Sequence, residues 1–382
     1  MITKDSLGPF QAGDGGLPPY LAGRESEQEI CGAFLSRLRN GRPPPREIVF
    51  HGPRGNGKTA LLAWLRKEVA AFPGVDAIRL VPAAIRTETK LVERLLSSSW
   101  WQRLAPSEVS LYGIKWRPGQ DRPPPLDEAL AARSAKKPLV LLLDEAHTLT
   151  SEVGGALLNA SQQVGRELPF LLVLAGTPEL RSRLGSFDAT FWNRAERLPI
   201  GRLEPGASAA ALRVPLEREG IAVDEDATAC MVGESQGYPY FVQLWGEAIW
   251  SRIRSAPRAR RRAALEDVDG ARAIFNRRRD GYCLERYDEL MERNLLPVAR
   301  TVAEVFRERS RLSDADLDTA IVRALGEADR PERVAAARTA LTHLGYVWRP
   351  ETEPTWEAGI PSLADYVRRY APAPVPGGGD RA

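Results

Sequence analysis

The chain has 382 residues, 43% hydrophobic and 27% charged, with a formal net charge of +3. That length suits two or three domains, and so small a net charge excludes a strong global pull towards nucleic acid or anionic membrane. Cys31, Cys230 and Cys283 are far apart and in no C-x-x-C spacing, and there are three His, so neither a disulfide framework nor a zinc site is indicated. The first residues lack an apolar signal core and no apolar run approaches a membrane span, so a cytoplasmic protein without a membrane partner is expected.

Residues 1–19 are rich in Gly and Pro and read as a flexible arm. From Tyr20 the character changes, and Ile30, Phe34, Leu35 and Leu38 share one helical face. Pro43 to Pro45 then lead into Glu47–His51, a short β-branched and aromatic run that predicts a buried strand. Directly after this strand stands Gly52-Pro53-Arg54-Gly55-Asn56-Gly57-Lys58-Thr59, the G-x-x-x-x-G-K-T phosphate loop of nucleoside-triphosphate-binding proteins, with Leu61, Leu62 and Leu65 continuing it as a helix. The chemistry needs these residue types. Gly52, Gly55 and Gly57 let backbone N–H groups converge on phosphate oxygens at the positive end of a helix. Lys58 adds a point charge at the β and γ phosphates, and the Thr59 hydroxyl can ligate Mg2+.

Ala77–Val81 predicts a second strand, residues 88–104 a helix, residues 105–125 an irregular insertion and residues 126–135 a further helix. Leu139–Leu143 is an uninterrupted apolar run closed by Asp144 and Glu145, the pattern of a central parallel strand covered on both faces. Carboxylates at its C-terminal end sit where open α/β sheets bind ligands. Asp144 is assigned to the Mg2+ hydration shell and Glu145 to the attacking water, against the alternative of two acids capping a helix. Phe170–Leu174 predicts another buried strand. Thr177, after it, either touches the γ phosphate or its water, or caps the helix begun by Pro178. Arg194 precedes a last strand at residues 197–200 and reads either as a finger for a neighbouring subunit's γ phosphate or as a solvated arginine among Arg181, Arg183, Arg197 and Arg202.

After Glu204 the strand signals stop, and residues 206–292 read as helical, with Phe241, Leu244, Trp245 and Ile249 on one face. Residues 252–279 are strongly basic, but the acids up to Glu292 offset most of that charge, which favours a salt-laced solvated helix. Helices at 298–307, 314–325 and 331–344, then a hairpin of 346–349 with 355–357, have a winged-helix order. Residues 371–382 read as a disordered tail. Across residues 297–370 acids outnumber arginines by one, the wrong sign for phosphate neutralisation, so an interaction or autoinhibitory role fits this region better than DNA reading.

With Gly23-Arg24-Glu25, the phosphate loop, Asp144-Glu145, Thr177 and Arg194 in that order, the chain resembles the AAA+ and STAND P-loop ATPases over residues 20–370, with its nearest look to the origin-recognition type. Gly237-Tyr238-Pro239 resembles the GxP motif by which STAND proteins pack a proline, here Pro239, on the nucleotide base. Tyr240 stands about where origin-recognition relatives carry an arginine. Asp144 to His147 also spells a DEAH box, but the chain has no second helicase core downstream, so His147 reads as a local polar residue.

The resemblance implies an α/β P-loop core with helices on both faces of a parallel sheet (residues 20–205), a helical lid (206–295) and a winged-helix domain (296–370). It also implies ATP and Mg2+ as cofactors and an ATP-hydrolysing conformational switch that self-assembles in its ATP state and acts on a protein partner. The alternatives are a DNA-bound initiator or transposition-type regulator, with Arg258 to Arg262 and the arm on the phosphates, and a nucleotide-binding scaffold without turnover.

Overall fold

A computed structural model describes residues 8–13, 15–96, 123–255, 261–326 and 330–372, with the backbone of 109–111 and 114–116. The chain divides into two compact units. One holds residues 24–51 and 58–198; the other holds residues up to Gly23, the turn Gly52–Gly57 and everything from Pro199.

The first unit contains α1 (Glu25–Arg39), β1 (Ile48–His51), α2 (Lys58–Ala70), β2 (Asp76–Leu80), α3 (Glu88–Leu96), β3 (Val109–Leu111), β4 (Ile114–Trp116), α4 (Leu126–Lys136), β5 (Leu139–Leu143), α5 (Ser151–Glu167), β6 (Phe170–Gly176), α6 (Leu180–Phe187), α7 (Phe191–Arg194) and β7 (Glu196–Pro199). Five strands form one sheet in the order β2-β5-β6-β1-β7, with β2, β5, β6 and β1 parallel. All residues of β1, β5 and β6 are buried, as expected for apolar strands sheathed by helices on both faces. Edge strand β2 is only half-buried, which is why it tolerates Asp76 and Arg79. The register aligns His51 with Gly176 and Leu143 with Leu174, so the residues after β1, β5 and β6 leave the sheet at one edge.

The insertion predicted to be irregular contains an antiparallel pair, β3 with β4. The helix predicted to reach residue 104 is described as far as Leu96; beyond it the prediction lies outside the described residues.

The second unit contains α8 (Pro205–Arg218), β8 (Ala222–Val223), α9 (Glu225–Ser235), α10 (Pro239–Arg254), β9 (Arg262–Ala263), α11 (Leu265–Glu292), α12 (Leu296–Glu308), α13 (Asp314–Leu325), α14 (Pro331–His343), β10 (Val347–Trp348), β11 (Glu357–Ala358) and α15 (Pro361–Tyr370). Strand structure does not stop at Glu204: β8 and β9 form a two-residue parallel pair. Helices α12 to α14 followed by the antiparallel β10–β11 hairpin give the winged-helix order. On α14, Val334, Ala337 and Leu341 are buried, and Ser313 with Asp316 forms a capping box at the start of α13. One apolar core runs from Leu212 and Trp245 through Phe275 and Val302 to Leu341 and Val367, so the predicted lid and winged-helix region share an interior. Trp245 stacks on Phe275 with centroids 4.3 Å apart. The Tyr346 hydroxyl donates to the Ala299 carbonyl at 2.8 Å.

The arm is not free in its described part. Phe10 is 1% exposed within this core, and the Ala12 N–H donates to Glu247 Oε1 at 2.7 Å. A side chain at Gly246 would collide with the Phe10 ring, so the helix surface is cut to receive it. Of the tail, only residues 371 and 372 are described, and Ala371 is buried. Arg258 and Arg260 of the basic cluster lie outside the described residues.

This packing has measurable consequences for stability. Phe10→Ala should cost about 3 kcal/mol in denaturant unfolding of the full chain, a loss that a free arm would not show. At the end of β1, burial together with the charges of Lys58, Arg197 and Arg181 lowers the His51 pKa to about 3, and its ring sits edge-on to Trp192 at 5.0 Å. The unfolded chain therefore takes up this proton first, and the stability that neutral His51 supplies above its unfolded pKa is lost as pH falls towards the folded one. Between pH 7 and pH 5 the loss is about 2 kcal/mol, and thermal unfolding of His51→Gln should show that much less acid sensitivity.

Candidate nucleotide site

The residues predicted to bind nucleotide divide between the two compact units, and each set is described by itself. In the second unit Gly52 to Gly57 form a turn with φ of +154° at Gly52, +79° at Gly55 and +92° at Gly57. A Cβ on Gly52 would meet the Ile200 carbonyl and one on Gly55 the Tyr238 hydroxyl, so neither position admits a side chain. The outward carbonyls of the turn have partners. The Tyr238 hydroxyl donates to Arg54 O, and the Tyr240 N–H donates to Gly55 O at 3.2 Å. Asn56, 1% exposed, donates from Nδ2 to Ile200 O at 3.2 Å. Arg54 pairs with Glu289 at 3.3 Å. Pro53 is close-packed by two glycines of the hairpin region, since a Cβ on Gly345 or Gly359 would come within 3.3 Å or 3.2 Å of it.

The GxP segment is the lid's part of this arrangement. Gly237 has φ of +71° and its carbonyl accepts from Leu203 N–H at 2.7 Å; Pro239 is the first residue of α10. Tyr238 is completely buried, its hydroxyl 2.9 Å from that of Tyr282, and burial raises both pKa values. Tyr240, at the place expected of an arginine in origin-recognition relatives, packs on Tyr282 with centroids 4.7 Å apart.

In the first unit Lys58 and Thr59 open α2, and Lys58 is buried. Asp144 comes directly after β5 and is also buried. Its Oδ2 accepts from Arg79 Nη2 at 2.8 Å and its Oδ1 from the Glu145 N–H at 3.1 Å. Glu145 has φ of +51° and ψ of +34°, a left-handed conformation costing about 1 kcal/mol for a residue with a side chain. That turn leaves the Glu145 side chain half-exposed and the Asp144 carboxylate facing Arg79. Glu145 is the N-cap residue of a 3-10 turn at Ala146–Thr148, but its side chain makes no capping hydrogen bond there, and α5 is capped by the Thr150 hydroxyl.

His147 is buried. Its Nδ1 accepts from the Thr177 N–H at 3.4 Å, and its Nε2 lies 3.5 Å from Glu145 Oε2. Arg183 anchors the same turn by donating to the carbonyls of His147 and Leu149 at 3.2 Å and 2.7 Å. Thr177 does not cap α6, whose N-cap is Glu179, and its buried Oγ1 has no hydrogen-bond partner among the described residues. A buried hydroxyl in that condition fits a phosphate oxygen or a water.

Arg194 lies elsewhere. It pairs with Asp188 at 2.7 Å and lines a cavity of about 130 Å³ with Arg46, Glu47 and Phe170, residues at the N-terminal ends of β1 and β6. Burial alone would raise the Asp188 pKa, but hydrogen bonds from Thr190 and Gln162 and the Arg194 charge outweigh it and lower the value to about 2. Thr177 stands past the other end of β6, roughly 20 Å away for a strand of that length. Arg194 is therefore not part of its own chain's site.

The donor set fits Mg2+ held chiefly by nucleotide phosphates. Asp144 and the Thr59 hydroxyl offer hard oxygen donors, and such a site would need no all-protein cage. Among the described residues no group of three His, Cys, Asp or Glu is placed to hold a metal, and no helix is long and apolar enough to cross a membrane.

Sequence reasoning missed Arg79, Tyr282 and Glu289. Arg79 carried a signal, a charge inside an otherwise apolar strand run. The other two had none, since Tyr238 and Arg54, which they meet here, are more than 40 residues distant in the chain.

Residues 44–184 match the AAA-domain family. No curated protein sequence matches the chain. A Walker-type ATPase of Pyrococcus abyssi is similar in structure, with a TM-score of 0.64 and 17% identity over 91% of this chain and 96% of that one. The Aeropyrum pernix ORC2 protein, solved as ADPNP-ADP complexes, has a TM-score of 0.59 and 14% identity over 95% of this chain and 99% of its own. Residues 44–184 thus match an AAA domain, and the chain shares its overall fold with that Walker-type ATPase and with the ORC2 protein.

Proposed function

We propose that this chain binds and slowly hydrolyses Mg-ATP and works as a nucleotide-dependent conformational switch. The carrying observation is that the Gly52–Gly57 turn is held from outside by Tyr238 and Tyr240 of the lid and by Gly345 and Gly359 of the hairpin region. A change in that turn on nucleotide binding has to be met by the elements that partner its carbonyls. Lys58 and the turn's N–H groups take the phosphates; Thr59 and Asp144 take Mg2+; Glu145, steadied by His147, orients the water; Thr177 contacts the γ phosphate or that water. Pro239 packs on the base. Mg2+ would supply charge neutralisation at the β and γ phosphates. Arg194 acts in trans, on the γ phosphate of a second copy, which makes ATP-state self-assembly part of turnover.

A DNA-bound regulator is the second reading, and the near-neutral winged-helix region argues against it. The cellular site is the cytoplasm, and the output is delivered to a protein partner.

Steady-state turnover and nucleotide binding, with and without duplex DNA, test these assignments. Lys58→Ala should weaken ATP binding by about tenfold or more, as loss of a charge-assisted contact does. Glu145→Gln should keep binding while turnover falls by about a hundredfold or more. Unaltered turnover in Glu145→Gln would contradict the hydrolytic role, and strong stimulation by duplex DNA would favour the second reading. Wild-type turnover per chain should rise with protein concentration, and Arg194→Ala should remove that rise while leaving nucleotide affinity intact. A concentration-independent rate, equal in both proteins, would exclude the trans role.

A further inference from the structure

We propose that Arg79 is a stand-in cation for Asp144, holding the metal-facing carboxylate until Mg2+ displaces the guanidinium, and that it thereby sets the Mg2+ requirement of nucleotide binding. The inference rests on the reading of Asp144 as the residue that faces Mg2+. Arg79 stands in edge strand β2, paired in register with Leu142, and the Asp144 N–H donates to the neighbouring Leu80 carbonyl at 3.2 Å. From there the guanidinium reaches Asp144 Oδ2 at 2.8 Å, while the Glu145 N–H occupies Oδ1. The Asp144 side chain is 6% exposed. An ionised carboxylate so enclosed is costly without a cation, and Arg79 pairs with it.

The same geometry sets up the exchange. Mg2+ at this carboxylate would stand beside a guanidinium that cannot neutralise itself by losing a proton, so repulsion has to be relieved by movement. Arg79 is weakly held. Its Nε is buried with no hydrogen-bond partner, its bond to Asp144 runs through Nη2, and its side chain is 29% exposed at the open edge of the sheet. Swinging outward therefore gives up one strong contact and brings the head group to water. A residue that satisfies Asp144 only in the metal-free state stabilises that state and weakens metal binding by linkage.

The test uses full-length protein, with thermal unfolding followed during Mg2+ titration at fixed ADP. Arg79→Gln should lower the metal-free melting temperature, show a larger Mg-ADP-induced gain than wild type, and reach half of that gain at several-fold lower Mg2+. Arg79→Lys keeps the charge with a poorer reach, so it should move the midpoint the same way by less, and it decides the matter if Arg79→Gln does not fold. In an Asp144→Asn background the Arg79 substitutions should leave the Mg2+ midpoint where it is. An unchanged or raised Mg2+ midpoint in the Arg79 variants would overturn the proposal. Should wild type show no Mg-ADP shift at all, the nucleotide-site reading falls and this inference with it. A wild-type shift alongside unchanged variants removes the inference alone.

Discussion

A phosphate loop that aims its N–H groups inward turns its carbonyls outward, and buried carbonyls need donors. In this protein the donors come from almost 200 residues away in sequence. Tyr238 supplies a hydroxyl to Arg54 O and Tyr240 a backbone N–H to Gly55 O, so the start of α10 is tied to the turn by its hydrogen-bond requirement. Glycine does the complementary work. Gly52 and Gly55 lack the atoms that would collide with Ile200 and Tyr238, and Gly237 lies against the Leu203 carbonyl where no side chain fits. Loop conformation and lid placement are thereby two aspects of one interlock. The close packing of Pro53 by Gly345 and Gly359 extends it to the hairpin region.

The sheet solves a different problem. Its central strands are wholly apolar, so polar chemistry is confined to the residues just past them and to edge strand β2. Asp144, Glu145 and Thr177 leave at the C-terminal edge, and His147 connects the last two through its ring nitrogens. Arg194 belongs to the opposite edge, apart from Thr177.

How much of this was legible in the sequence depended on how local its cause was. The phosphate loop, the buried strands, helices α12 to α14 and the wing hairpin could be read because glycine spacing, apolar runs and helical periodicity act over a few residues. The arm could not, because Phe10 is one aromatic in a Gly-rich segment and its burial depends on a helix surface that Gly246 leaves bare. The β3–β4 pair was hidden by the Pro and Gly around it. The lid and the winged-helix region read as separate domains because a turn at residues 293–295 separates their helices, whereas the shared core joins side chains distant in sequence. At the site, the nature of each motif residue was readable but not its company. Whether Thr177 capped a helix was decided by its hydroxyl, whether His147 coupled by its neighbours, and what Asp144 faced by Arg79.

The central claim is that the outer contacts of the phosphate loop transmit nucleotide state to the lid and wing. Amide hydrogen exchange of the wild-type chain, nucleotide-free and with Mg-ADP or a non-hydrolysable Mg-ATP analogue, tests it most directly. The account predicts altered protection at residues 236–242 and 345–359 as well as in the loop, differing between the two nucleotides. Protection confined to the loop and α2, with those two segments unchanged, would contradict it.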